Sequence, residues 1–169
     1  MRLKRNNDRL LLTLNLFECR LLLRVFEELR VHYRLSPDEI DPKARAAWYS
    51  TRGCATAKMS SEETKEWLDH LQVLKGANLQ RLEDWARQLS ESKPTQPQLH
   101  LNLDDASAFL VVINDHRLLA AARHDIGQTE MDLHSPSQLL ELPAAKQEAL
   151  VEIHFLAWLI EETLRALQE

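Results

Sequence analysis

Glycine is scarce in this chain, with 3 in 169 residues, and proline is limited to 6. Few tight turns can therefore be built, and the connections that exist must join long elements, which favours helices over a many-stranded sheet. Only two cysteines occur, Cys19 and Cys54, with no CxxC or zinc-type spacing. A disulfide framework is not expected, and both read as reduced thiols of a cytoplasmic protein. Cys19, at helical spacing with Leu16, Leu23 and Phe26, is expected to be a small core residue. No apolar run approaches the roughly 20 residues that cross a bilayer, and no signal peptide is recognisable. Phosphate-loop, HExxH and GxSxG patterns are absent too. No cofactor is expected.

Hydrophobic residues make up 44% and charged residues 28%, so the expectation is one globular domain over residues 1–169, with flexible loops near 50–59 and 91–98. The formal net charge of −5 disfavours nucleic acid as a partner. Charge is uneven, however. Residues 1–34 carry Arg2, Lys4, Arg5, Arg9, Arg20, Arg24, Arg30 and Arg34, whereas the last 34 residues lean acidic. The two ends are expected to pack side by side with complementary charge.

Alternation before Asn6, Asn7 and Asp8, then a β-compatible run from Leu10 to Leu14, predicts a hairpin. Asn15 stands three residues before Glu18 in a capping-box arrangement, and Leu22, Phe26 and Leu29 continue at helical spacing to about residue 34. Asp41 and Pro42 start a short helix through Trp48. Residues 50–59, including Arg52, Gly53, Cys54 and Lys58, read as a surface loop rather than a phosphate cradle. Ser60 or Ser61 caps a helix to about residue 90, its stripe running Trp67, Leu71, Leu74, Asn78, Leu82, Trp85 and Leu89, with a possible bend at Gly76. Leu99, Leu101 and Leu103 alternate with polar residues, a third short strand able to cover one hairpin edge. A helix from Asp104 as N-cap to about residue 125, ended by Gly127, a short turn from Pro136 to Leu140, and a broadly apolar helix after Pro143 complete the chain.

Four consecutive polar residues, Asn114, Asp115, His116 and Arg117, interrupt the apolar helix of residues 103–126. Asn114 and Arg117 share a face. Two readings stand. Arg117 bonds a carboxylate from another helix, with Glu18, Glu152 and Glu162 as candidates, while Asn114 ties down backbone. Alternatively, Asn114 and Arg117 line a pocket for an anionic or peptide ligand. Elsewhere, His124, Asp125, Glu130, Asp132 and His134 gather possible metal ligands in one connection, a composition that a polar loop shows equally. No metal site is assigned. His154 is expected at the core margin, and Ser107 has no identifiable base.

The run Leu103 to Gly127, with its Leu-Asp start, an aromatic at Phe109 and the core Ile113-Asn114-Asp115-x-Arg117-Leu118, resembles an uncharacterised bacterial family, domain of unknown function 2017. Glu18 ahead of Leu22 and Leu23, and the closing FLAWLIEETLRAL, are similar to that family's ends. Phe109 departs from the tryptophan commoner there, and residues 50–100 show no likeness. The resemblance implies no catalytic residue and no cofactor; it implies an association with protein turnover.

The expected architecture is α+β and mainly helical, three or four long helices packed with a small antiparallel sheet made of the N-terminal hairpin and a strand near residues 99–103. The expected function is a soluble, non-enzymatic interaction module with a protein partner or a second copy of itself. The competing class is an enzyme or small-ligand binder centred on Asn114 and Arg117. The polar cluster to inspect is Asn114, Arg117 and Glu18.

Overall fold

Asn7 adopts φ 52°, a left-handed conformation that asparagine tolerates better than most residues. It turns strand β1 (Arg2–Asn6) back onto β2 (Arg9–Thr13), with Asn6 opposite Arg9. The computed structural model describes residues 2–133 and 135–168, excepting the side chains of Arg52, Gly53 and Pro136. Strand β3 (Gln98–Asn102) pairs antiparallel on the other side of β2, giving the order β1-β2-β3. Leu10 faces Leu101 and Leu12 faces Leu99, all four fully buried. The third strand thus covers one hairpin edge, as its alternation predicts. The other edge, β1, exposes Arg2, Lys4 and Arg5, charges that discourage pairing with another chain.

Helix α1 (Leu16–His32) starts at the predicted capping box: Asn15 Oδ1 accepts from the Glu18 amide, and Glu18 Oε2 accepts from the Asn15 amide. It buries Cys19, Leu22, Val25, Phe26 and Leu29. Short helix α2 (Pro42–Trp48) begins at Asp41 and Pro42 as expected. The segment read as a loop contains a five-residue helix, α3 (Arg52–Thr56), and buries Cys54. The side chains of Arg52 and Gly53, two of its chemically notable members, lie outside the described residues.

One helix is expected between residues 61 and 90; two are found, α4 (Ser61–Gly76) and α5 (Leu79–Glu91). The apolar spacing continues across the break, so periodicity does not reveal it, and Gly76, a weak helix former, ends α4. Their burial differs sharply. Leu82, Trp85 and Leu89 of α5 enter the core, whereas α4 buries none of its residues completely and leaves Trp67 42% and Leu74 51% exposed. Trp85 packs at 5.8 Å from Phe26 and 5.5 Å from Phe109, ring centre to ring centre, near the middle of the core.

Helix α6 (Leu103–Arg123) follows β3 without a loop. Its N-cap is Asn102, not Asp104: the last strand residue is already extended, and Asn102 Oδ1 accepts from the Asp105 amide at 2.6 Å. Asp104 and Asp105 instead occupy the first turn, where the helix dipole favours them. Gly127 does not end α6, which stops at Arg123. It precedes α7 (Gln128–Met131) and donates its amide to Glu130. After α8 (Pro136–Leu140), helix α9 (Ala144–Gln168) packs along α6 through Ile153, Leu156 and Leu159. His154 is exposed rather than at the core margin. Chain ends meet as predicted: Arg5 donates to the Leu167 carbonyl, and Arg24 pairs with Glu152. Among the described residues, no helix is long and apolar enough to cross a membrane.

Candidate functional site

Successive helical residues project about 100° apart, so the four polar residues of α6 meet four environments. Asn114 is exposed and Arg117 half-buried; Asp115 and His116 are buried, the histidine only 1% exposed. Each of the buried pair anchors a separate network.

The Asp115 carboxylate lies between α1, α2 and α4. Lys75 Nζ donates to both of its oxygens at 2.7 Å, and the Tyr33 hydroxyl donates to Oδ2 at 2.6 Å. Trp48 Nε1 donates to the Asp115 backbone carbonyl at 2.8 Å, fixing α2 against α6. The Lys75 ammonium stands 4.7 Å from the Trp48 ring centre and 5.9 Å from those of Tyr33 and Tyr49, within the range of cation–π attraction. Burial, and then the adjacent Asp115 charge, push the Tyr33 hydroxyl well above its ordinary pKa, so it remains a donor. Burial and the same charge also raise Tyr49.

His116 projects about 100° away, toward α9. Its Nε2 bonds one oxygen of Glu152 on α9, and Arg24 of α1 donates to the other. Burial pushes the Glu152 carboxyl up, but the hydrogen bond and charge of His116, with Arg24, outweigh it and hold the group below the ordinary glutamate range. Among the described residues, His116 Nδ1 is buried without a partner.

Beside this second network runs a groove of about 660 Å³ between α1 and α9, lined by Phe17, Arg20, Leu21, Arg24, Gln147, Glu148, Val151 and Glu152. Phe17 is 67% and Val151 60% exposed. A smaller cleft of about 110 Å³ adjoins it, sharing Arg24, Glu148 and Glu152 and reaching His116. The groove thus combines the exposed apolar side chains of Phe17 and Val151 with the charges of Arg20, Arg24, Glu148 and Glu152. No activated nucleophile borders it: the Cys19 thiol is buried and pushed upward by that burial, and Ser107 is exposed on α6. Among the described residues, no three His, Cys, Asp or Glu side chains are grouped to hold a metal. His134, one of the residues considered for such a site, lies outside them.

The structure does not bring Asn114, Arg117 and Glu18 together. Glu18 closes the cap of α1. Arg117 makes no ion pair among the described residues, and its Nε is buried without a partner. Of the other carboxylates considered for it, Glu152 serves Arg24 and His116, and Glu162 pairs with Arg165. The α6 residues that do converge with other elements are Asp115 and His116, and Glu152, a candidate for Arg117 in the sequence, bonds His116 instead. His116 falls on the stripe Phe109, Val112, Ile113, His116, Leu119, Ala120, all buried. That phase is visible in the chain itself.

A mainly helical α+β domain with two ionic networks threaded through its central helix is what these observations define. The chain belongs to the family described as Domain of unknown function (DUF2017), whose model matches residues 70–167, more than half of its length. The match extends through residues 70–100, where no likeness was legible in the sequence. It includes Lys75, Asp115, His116 and Glu152 but not Tyr33, Trp48 or Arg24. Comparison with curated proteins and with solved structures gave no match.

Proposed function

We propose that this protein is a non-enzymatic interaction module of the bacterial cytoplasm that receives an amphipathic helical segment of a partner protein in the α1–α9 groove. The observation that carries the reading is the placing of Phe17 and Val151, both mostly exposed, on a groove that also presents the paired Arg24 and Glu152. Phe17 and Val151 supply apolar contact of the kind that anchors a helix in a groove. Arg20 and Glu148, neither in an ion pair among the described residues, offer one charge of each sign to the incoming segment.

The implied tie to protein turnover makes components of that machinery the first partners to test with purified proteins. Titration calorimetry should give binding that Phe17→Ser together with Val151→Ser reduces at least tenfold. Val73→Ser, on the far surface of α4, should leave it unchanged. Arg20→Glu should weaken the complex with a shallower salt dependence. A partner that binds the groove variant as tightly as the unaltered protein overturns the proposal. The alternative, an anion pocket at Asn114 and Arg117, draws support from the unpartnered Arg117 Nε. Neither residue lines the α1–α9 groove or the cleft that reaches His116.

A further inference from the structure

Lys75 sits in a preformed cation site. Tyr33, Trp48 and Tyr49 surround its ammonium with aromatic rings, and Asp115 supplies a carboxylate that takes two of its three N–H groups. The site belongs to the rigid part of the molecule: Tyr33 closes α1, Trp48 ends α2, and Trp48 and Tyr33 are locked by hydrogen bonds to Asp115 on α6. The occupant belongs to a loosely anchored helix, α4, which buries no residue completely and touches the core through Leu68 and Leu71. Clefts flank α4 on both sides, one of about 580 Å³ against α2 and one of about 390 Å³ against α6, and the latter is lined by Lys75 itself. Gly76, directly after Lys75, has open space where a Cβ would stand, so nothing packs against the junction from outside.

We propose that this cage is a docking site for the side-chain ammonium of a partner protein's lysine, and that Lys75 occupies it in cis while α4 is seated. Exchange of one primary ammonium for another leaves the buried Asp115 charge compensated, which simple withdrawal of Lys75 would not. The bidentate carboxylate also sets the ligand class. A primary ammonium can donate to both oxygens, whereas a quaternary one can offer only the aromatic contacts.

Lys75→Ala removes three methylenes and the amine, a fragment matched by propylammonium. Thermal unfolding of this variant should show a saturable rise in Tm with propylammonium, with at least roughly tenfold weaker response to tetramethylammonium at equal ionic strength. Adding Asp115→Asn should abolish the response. In the unaltered protein, Nα-acetyl-lysine amide should accelerate hydrogen exchange across residues 61–76 in a saturable way, and the norleucine analogue should not. The second measurement stands even where Lys75→Ala fails to fold. Equal response to the two ammonium ions, or unchanged exchange in α4 at saturating lysine amide, overturns the proposal.

Discussion

Asp115 and His116 are adjacent in the chain yet serve different sides of α6, and the two networks are finished to different degrees. Around Asp115 every polar atom of the carboxylate, the ammonium and the phenol has a partner inside the protein, and three aromatic rings enclose them. Around His116 one ring nitrogen is left over, and the Arg24 end of the network reaches solvent, its side chain 56% exposed. A closed network holds the fold and surrenders a member only in exchange for an equivalent group. An open one adjoins the groove and can respond to what enters it. The difference follows from helical phase alone: a 100° rotation points one residue at α1, α2 and α4 and the next at α9.

The harshest test of that contrast is Asp115→Ala. It strands the Lys75 ammonium, whose side chain is only 11% exposed, and should cost about 3–5 kcal/mol of unfolding free energy, measured by urea denaturation. Lys75→Met combined with Asp115→Leu should recover most of this, because a matched apolar pair leaves no buried charge unpaired. A loss below about 1 kcal/mol for Asp115→Ala would show that Lys75 reaches water freely, and the distinction between closed and open networks would collapse.

Glu152→Gln comes next, at about 1–3 kcal/mol, since Arg24 can turn to solvent while His116 cannot. Its signature is in the pH dependence. The folded-state Glu152 carboxyl is held below its ordinary value of 4.5. The ionised group therefore stabilises the protein fully above pH 4.5, and that advantage is lost as pH falls through the depressed folded value. Stability curves of the unaltered and Glu152→Gln proteins should differ at pH 7 and converge in acid. Parallel curves would mean that Glu152 ionises alike in the folded and unfolded chain.

A partly buried ion pair offers a third point on the scale. Glu130 accepts from Lys146 Nζ at 2.6 Å and from the Gly127 amide, and these bonds bring its carboxyl down to about 2. NMR titration should place it there, and Lys146→Met should raise it toward 4.5, with a smaller fall in Tm than Glu152→Gln because this pair is less deeply buried. If Tm falls as far as for Glu152→Gln, burial is not what separates the strong networks from the weak.

Much of this fold is written locally. Asn15 with Glu18, Ser60 with Glu63, and Asp41 with Pro42 announce their helices because the capping groups lie within three residues of the amides they satisfy. The strand at 98–102 is legible from its alternating leucines, and its docking on β2 follows from the edge it covers. Long-range partnerships are another matter. Nothing within several residues of Lys75 marks it as the counter-ion of Asp115, 40 positions away, nor does Trp48 advertise a bond across 67. The stripe Trp67, Leu71, Leu74 looks like core and proves only loosely covered, since periodicity records which residues share a face and not whether a neighbour arrives to bury it. The polar island is legible as four polar residues within an apolar helix. Its Asn114–Arg117 face is turned away from both networks.

Arg117 supplies the smallest expected effect and the one that bears most directly on that choice. Its Nε is shielded from water with no acceptor, so the folded state already carries the cost of an unmade hydrogen bond. Arg117→Met keeps the stem that packs against the helix and removes the orphaned donor. The change should be within about 0.5 kcal/mol of neutral, with any deviation toward greater stability, whereas a carboxylate partner would make it cost several times as much. Urea denaturation of Arg117→Met beside Asn114→Ala, an exposed position expected to be silent, separates the cases. If Arg117→Met destabilises the protein as strongly as Glu152→Gln, then α6 carries a third network, and the division of its polar residues into two sides is incomplete.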